Sequence, residues 1–548
     1  MDLEARVSEL SVELDQSRAE REQYRKLYLE MLERCALLER GLIAGKKAER
    51  FTGNDGQLTL MVLGQVLAPE SPESPESPQH PEGAQRPEAE ETAEEPKAAP
   101  RGAARRGPAR RGPLPSELPR IEIEVLPPEV QREGLDAFVR IGQEVSEVVE
   151  HRPASLVVVR IVRPRFLRKG HAQHDDSVGP SESGVLFADP PERPIVRGIA
   201  GPGLLAKTVV YRWQDHLPVY RQESIHARDG LELARSTICG WHQQLADLVE
   251  RVVEAMLRDA FTQPYLCVDA TGILVQAKEQ CRKAHFWVMV APERHVIYRY
   301  SHKHDSAAVD QLLAGYKGHL VADAHSVYDH LYKQGDVIEV GCWAHGRRYF
   351  HKALGSDPAR SEHGLALIRA LYRVERPLQT ATRKKREDAR RQKSRPIVDA
   401  FFAWCDEQAA VVLDETPISK AIGYARNQRV ALSRFIDDGR LPLDNNISER
   451  NLRREVLGRK NWLFLGSDEG ARVNTIFVSL LASCQLHGIE PWAYLRDLFC
   501  LIPSWPASRV LELAPAFWKE TLEKQDTQQR LAANVFRAVT LVDHAPTL

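Results

Sequence analysis

The 548-residue chain lacks the features by which several large classes of protein are recognised. No segment approaches the roughly 18 consecutive apolar residues that a membrane-spanning helix needs. The N-terminal stretch is acidic and amphipathic, whereas a signal peptide has a basic stretch followed by an apolar run. The eight cysteines are scattered without a CxxC pair, which favours reduced thiols over disulfides or a thiolate zinc site. These absences predict a cytoplasmic protein.

Charge of one sign is not in excess either, because the formal net charge is −1. Any attraction to nucleic acid must therefore come from local clusters of cations. The motifs GxSxG, GxxxxGK[ST] and GxGxxG are missing, so nothing supports a serine hydrolase, a P-loop site or a dinucleotide site. Hydrophobic residues make up 43% and charged residues 28% of the chain, which is the balance of a globular protein of several domains.

The first 119 residues divide into two segments of different composition. Residues 1–50 carry apolar side chains at alternating spacings of four and three, with one interruption. This heptad pattern predicts a coiled coil through which the chain forms a homo-oligomer, and a lone surface helix is the alternative. Residues 67–119 are rich in Pro, Glu, Ala and Arg, with an acidic half before a basic half. That composition predicts a disordered linker.

Two further segments precede the region that carries chemistry. In residues 120–190, IEIEVLP and SLVVVRIVRPRFL predict short strands with a helix between them. Residues 195–258 have a helical period with a break at Ala227 to Gly230, the pattern of a helix-turn-helix. A helical hairpin without a DNA role is the alternative. If the second helix enters a DNA groove, the side chains that it offers are Arg235, Ser236, Thr237 and His242.

The region after Tyr265 changes to strand periodicity. YLCVDATGILVQ, HFWVMVA and HVIYRYS predict three neighbouring antiparallel strands, followed by a helix near Ser306 to Tyr316, and then by two alternations of strand and helix. Asp269 lies within an apolar strand, where a carboxylate is costly to bury unless it is paired or metal-bound. Asp323 ends the next long strand, where open sheets present functional groups.

A third carboxylate, Glu449, lies on a predicted helix for which Asn446 is a plausible cap. A surface ion-pair network is one interpretation of the cations around it, and a metal site beside a phosphate-binding surface is the other. Three carboxylates suit Mg²⁺ or Mn²⁺, which can serve phosphodiester cleavage by water and joining by a DNA 3′-hydroxyl. The residues that we predict to contact DNA in this region are Arg347, Arg450, Arg453, Arg459, Lys460 and Trp462.

These blocks together resemble the insertion sequence 66 family of bacterial transposases. The resemblance is carried by VDATGILVQ, LVADAHSVYD, GCWAHGRRYF, LPLDNNISERNLRREVLGRKNWLFLGS and HGIEPWAYLRDLF. It implies an Asp-Asp-Glu transposase in which Asp269, Asp323 and Glu449 bind Mg²⁺ or Mn²⁺. It also implies an α/β fold with a mixed-sheet, RNase H-like catalytic domain at 262–483, a helical insertion at 357–440 and a C-terminal helical region at 484–548. Glu375, inside the insertion, is the rival third ligand.

The resemblance also implies partners. These are double-stranded DNA at transposon ends and at the target, accessory proteins encoded by the same element, and an association with the nucleoid. One departure is that the family's small zinc module has two CxxC pairs, whereas residues 120–190 have none. His171 and His174 are too few to replace four ligands, so we predict no structural zinc. A DNA-binding remnant without catalysis is therefore the alternative function, and catalysis by Cys342 and His345 is disfavoured.

Overall fold

A computed structural model describes residues 114–116, 118–152, 155–168, 185–278 and 280–541. The predicted coiled coil, most of the predicted linker, and His171 and His174 lie outside these residues. The strands are β1 (Arg120–Glu124), β2 (Phe138–Arg152), β3 (Ser155–Arg168), β4 (Val185–Phe187), β5 (Tyr265–Val275), β6 (Arg282–Ala291), β7 (His295–Ser301), β8 (Gly318–Val321) and β9 (Val337–Val340).

The α-helices alternate with and follow these strands. They are α1 (Pro128–Glu133), α2 (Pro202–Trp213), α3 (Val219–Arg228), α4 (Arg235–Ala260), α5 (Ser306–Leu312), α6 (Asp329–Gln334), α7 (Trp343–Ala353), α8 (Pro358–Glu375), α9 (Arg383–Ala389), α10 (Arg395–Ala409), α11 (Pro417–Asn427), α12 (Arg429–Ser433), α13 (Asn446–Trp462), α14 (Asp468–Leu486), α15 (Pro491–Leu501), α16 (Trp518–Glu523), α17 (Gln525–Ala533) and α18 (Val535–Leu541). In the described ranges, no helix combines the length and the apolar character that crossing a membrane requires.

The first sheet contains a long strand that the sequence analysis missed. Strand β3 pairs with β1 in parallel and with β2 and β4 in antiparallel fashion. The prediction of two short strands with a helix between them was therefore incomplete, because β2 follows α1. The apolar side chains of β2 do not alternate regularly. Its register with β3 shifts between Arg140 and Gly142, and the neighbours Val148 and Val149 are both buried. An irregular strand of this kind gives only a weak period-two signal.

The first sheet packs on the C-terminal end of the described chain. Its face contributes Ile121, Val148 and Val159 to a small core, to which α18 adds Phe536 and Val539. The described part of this segment is therefore held together by apolar packing.

The second sheet has the order β7-β6-β5-β8-β9. Strands β5, β6 and β7 are antiparallel neighbours, as predicted, whereas β5, β8 and β9 run parallel. Helix α14 covers the edge strand β7, where the Ser483 hydroxyl accepts the Val296 N–H at 3.0 Å and the Ser479 hydroxyl accepts the Tyr298 N–H at 2.8 Å. These bonds satisfy backbone groups that an edge strand leaves open. The mixed α/β class is confirmed.

The predicted helical segments are also present. Helix α3 ends at Arg228, Gly230 adopts a φ of 81°, and α4 begins at Arg235, so the predicted break separates two helices. Helices α8 to α12 occupy the predicted insertion between the second and third carboxylates.

A buried carboxyl connects the first sheet to helix α2. Glu150, at the end of β2, has no solvent exposure and accepts the N–H of Leu204 at 2.6 Å, in the first turn of α2. It also accepts the N–H of His151 at 2.8 Å. Burial raises the pKa of Glu150 to about 8, although these N–H donors and Arg496 lower it.

We expect the stability of the chain to depend on pH through Glu150. Because the folded pKa lies above the usual 4.5, the stability that this carboxyl contributes is complete below about pH 4.5 and is lost as the pH rises through about 8. Glu150→Gln removes this dependence. We therefore expect the free energy of unfolding in urea to fall between about pH 5 and 9 for the wild type relative to the variant. At the upper end of this range the difference should be a few kcal/mol in favour of the variant.

The matched control is Glu147→Gln, three residues earlier on the same strand. Glu147 is partly exposed and pairs with Arg120 at 3.2 Å, so its loss is expected to cost less than about 1 kcal/mol at any pH. Parallel pH curves for the wild type and Glu150→Gln would show that Glu150 is not protonated in the folded chain.

Candidate active site

Asp269 lies in the middle of the second sheet, on strand β5. It is partly buried, and its Oδ1 accepts the N–H of Ala270 at 2.8 Å. Its pKa is raised to about 7, first by burial and then by the negative charges of Asp323 and Glu449, while Ala270 N–H and Arg348 lower it. The two carboxylates and the arginine from distant parts of the chain are thus close enough to act on Asp269.

Asp323 follows strand β8, which runs parallel to β5. In the register of these strands Cys267 aligns with Val321, so Asp269 and Asp323 each come two residues after an aligned pair. Adjacent strands lie about 4.8 Å apart. Asp269, within β5, and Asp323, just beyond the end of β8, therefore both follow the paired part of these two strands in the same direction.

Glu449 comes from the first turn of helix α13. The Nδ2 of the fully buried Asn445 donates to the carbonyl of Val268 at 2.8 Å, which ties the start of the helix to the residue before Asp269. The Asn445 N–H donates to the Cys342 sulfur at 3.1 Å. The prediction that Asn446 caps the helix was wrong by one residue, because Asn446 is the first helical residue and Asn445 holds the N-cap position.

Two residues that the sequence analysis did not single out as partners contact Glu449. Arg348 donates to its carboxylate at 2.8 Å, and His345 Nε2 lies 3.6 Å from the same oxygen. Both come from helix α7, where a spacing of three places them on one face.

Among the residues that the structure describes, no group of three or more His, Cys, Asp or Glu side chains is arranged so that it could hold a metal ion.

A cavity of about 800 Å³ opens beside Glu449, between helices α7, α8 and the start of α13. Its walls carry more basic than acidic side chains, five against two, and the acidic ones are Glu362 and Glu449. The basic residues are Arg347, Arg348, His351, Lys352 and Arg369. Such a surface suits the phosphates of a nucleic acid.

The cations of helix α13 divide into two groups. Arg450, Arg453 and Lys460, all predicted DNA contacts, are exposed. Arg459 instead donates to the carbonyl of Gly272 at 2.5 Å, and the partly buried Trp462 packs on the apolar cluster around Ile273 and Leu465. The structure thus uses Arg459 and Trp462 to fasten the helix to β5.

The start of helix α4 holds the residues that were predicted to enter a DNA groove. Arg235 is exposed and pairs with Glu223 at 3.0 Å, Ser236 is exposed and Thr237 is partly so. The prediction for His242 was wrong. Its side chain is buried, 3.1 Å from the hydroxyl of Thr208, and burial lowers its pKa to about 3.

The alternative site residues have other partners. Glu375 binds Arg390 through both oxygens, at 2.7 and 2.8 Å. Arg390 is almost completely buried, so Glu375 has a structural partner of opposite charge. Burial raises the pKa of the Cys342 thiol to about 11, which is the reverse of what a thiolate nucleophile needs.

Comparison with known proteins places the chain in a family. Residues 197–473, about half of the chain, match the model of the Transposase IS66 family. Residues 479–516 match the IS66 C-terminal element, and residues 43–123 match the model described as Transposase C of IS166 homeodomain.

Two relatives come from Sinorhizobium fredii (strain NBRC 101917 / NGR234) and have names that state no function. Uncharacterized protein y4qI is 31% identical over 444 residues, which cover 77% of this chain and 78% of the relative. Uncharacterized protein y4jD is 28% identical over 429 residues, which cover 74% of this chain and 81% of the relative. From the family model and these relatives together, the chain belongs to the IS66 family of transposases.

Proposed function

We propose that the chain cleaves and joins DNA strands in transposition, with Asp269, Asp323 and Glu449 as its catalytic carboxylates. The observation that carries the proposal is the placement of these three residues, and the charges of Asp323 and Glu449 both act to raise the pKa of Asp269. These carboxylates belong to a parallel strand pair and to a helix that Asn445 fastens to it. We further propose that the mixed sheet is RNase H-like.

The chemistry of the three side chains suits Mg²⁺ or Mn²⁺, but their arrangement in the described residues is not that of a metal-binding group. Hard divalent cations prefer carboxylate oxygens, and three carboxylates that repel one another leave negative charge that a cation would offset. When bound, two such ions activate the attacking oxygen and stabilise the leaving oxygen of an in-line displacement. Asp269, Asp323 and Glu449 would hold them, and Glu449 would give up its ion pair with Arg348 to do so.

The surrounding cations would bind and orient the DNA backbone. Arg348 lies between the carboxylate site and the basic cavity, because it contacts Glu449 and lines that cavity. Once it leaves Glu449, its guanidinium can take a phosphate in the bidentate fashion that arginine favours. Arg450, Arg453 and Lys460 extend the cationic surface along helix α13. Contacts between such cations and phosphates set the register of the protein on the duplex, and they do not read the base sequence.

The remaining partner assignments are also part of the proposal. The family and the homeodomain match at residues 43–123 support binding to double-stranded DNA at transposon ends and target. Arg235, Ser236 and Thr237 are our candidates for base contacts. Self-association through residues 1–50, accessory proteins of the same element and association with the nucleoid rest on the sequence analysis alone.

Neutralising one carboxylate is expected to abolish metal-dependent DNA cleavage. Asp269→Asn, Asp323→Asn and Glu449→Gln keep the side-chain shape but remove an anionic ligand. Each should lower the rate by about a hundredfold or more, the scale on which one electrostatic stabiliser of a reacting group acts. Nicking of supercoiled plasmid in Mg²⁺ and in Mn²⁺ measures the effect, and DNA binding is measured alongside.

Asp336→Asn is the matched control, because Asp336 is an exposed aspartate that pairs with Lys317 at 3.1 Å on the surface of the same sheet. It should keep full activity. If cleavage by Asp269→Asn equals that of the wild type, the assignment fails. A wild type that binds DNA but never nicks it would support the DNA-binding remnant instead.

Exposed cations of helix α13 are expected to set part of the salt dependence of DNA binding. Each phosphate contact adds about 0.9 to the slope of log affinity against log salt concentration. Arg450→Ala and Arg453→Ala should therefore each reduce that slope by about one. Anisotropy titrations of a labelled duplex at several salt concentrations measure it.

Lys384→Ala is the control for this series. Lys384 is well exposed on α9 of the helical insertion, where it pairs with Asp388 at 3.7 Å. We expect an unchanged slope, because we assign these charges to a solvated helix face. If the salt-dependence slope falls for Lys384→Ala but not for the α13 variants, the DNA-binding surface lies on the helical insertion instead of on α13.

A further inference from the structure

The turn after helix α13 exposes two large apolar side chains beside the basic face of that helix. Leu463 is 67% exposed and Phe464 is 41% exposed. On either side of them the chain is anchored, since Trp462 is partly buried and Leu465 is buried. Between these two anchors, Leu463 and Phe464 form a two-residue apolar tip.

The backbone at this tip is strained. Leu463 has a φ of 60° and a ψ of −51°, and the Phe464 N–H donates to the carbonyl of Trp462 at 2.7 Å. This is the rarer form of γ-turn, which a leucine adopts only at a cost in energy. Strain of this kind persists where the surrounding structure imposes it, and it is concentrated at functional sites.

Strand β5 holds both flanks of the turn. On the far side the Leu465 N–H donates to the carbonyl of Leu274 at 2.9 Å, and the Gln276 N–H donates back to Leu465 at 2.7 Å. On the near side Arg459 donates to Gly272. The strand that carries Asp269 therefore also fixes the position of the tip.

The tip continues a line of side chains that starts at Glu449 and includes the exposed cations Arg453 and Lys460. Arg453 follows Glu449 by four residues and Lys460 by eleven, so a helical period places the three on one face. At 1.5 Å per residue, the tip lies about 20 Å along the helix axis from Glu449. A duplex that lies along this face would cover about six base pairs in that distance, at 3.4 Å per pair.

We propose that Leu463 and Phe464 form an apolar wedge that inserts between base pairs of the bound DNA, about six base pairs from the reacting phosphate. Apolar side chains at the edge of a basic surface unstack base steps in this way. The occupant rests on the proposed function, and the charge of the adjacent face favours DNA over a second copy of the chain. The wedge would hold distorted duplex beside the carboxylates.

The test compares two duplexes of about 30 base pairs, one fully paired and one with a single central mismatch. Because a mismatch lowers the cost of unstacking, the wild type should bind the mismatched duplex about fivefold or more tightly, as measured by competition anisotropy without divalent metal. The double variant Leu463→Ala with Phe464→Ala should lose this preference and keep its affinity for the paired duplex within about twofold.

A second variant protects the test against misfolding. Leu463→Gly removes the side chain and relieves the positive φ, so it should fold at least as well as the wild type and lose part of the preference. Val430→Ala is the matched control, since Val430 is 66% exposed on helix α12 of the insertion. It should retain the full preference.

Two outcomes would overturn the wedge: a wild type that shows no mismatch preference, and a double variant that keeps the preference of the wild type. If the double variant keeps the preference and its mass in solution also falls, the tip is assigned to a contact between copies. Asp269→Asn separates this proposal from the catalytic one. This variant should keep the mismatch preference while losing cleavage. The wedge proposal and the catalytic proposal can therefore fail independently of each other.

Discussion

The side chain of Asn445 connects the helix that carries Glu449 to the strand that carries Asp269. Its amide is fully buried and donates to the carbonyl of Val268. A buried hydrogen-bonding group left without its partner costs about 1–3 kcal/mol, so any displacement of α13 from β5 is opposed at this point. The pairing of β5 with β8 places Asp323 independently. Two constraints of different kinds, one amide and one strand register, therefore position the elements that carry Asp269, Asp323 and Glu449.

Helix α13 has two chemical faces because its cations serve two purposes. Arg459 and Arg454 point toward the body of the protein, where they donate to backbone or amide oxygens. Burial of such groups is tolerated only because their hydrogen bonds are satisfied. Arg450, Arg453 and Lys460 remain in solvent. One basic sequence thus supplies both the anchors that position the helix and the surface that we assign to DNA, and the sequence alone does not separate them.

The sequence predicted those features that depend on local pattern. The alternation around Asp269 and the strand before Asp323 lead directly to the observed sheet, and Gly230 marks the break between α3 and α4. What it missed depends on contacts between distant segments. Arg348 faces Glu449 across more than a hundred residues, and nothing local distinguishes it from Arg347. His242 shows the reverse error, since a polar residue at helical spacing from Arg235 turns out to lie in the core.

Apolar packing and one buried carboxyl hold the segment around the first sheet to the rest of the fold. Here the apolar face of β1, β2 and β3 is completed by Phe536 and Val539 from α18, and Glu150 of β2 accepts the first turn of α2. Apolar burial is worth about 25 cal/mol per Å², so packing against the C-terminal helix adds to the stability of the segment. The first sheet also shares the main apolar core with the rest of the fold through Val149 and Val158.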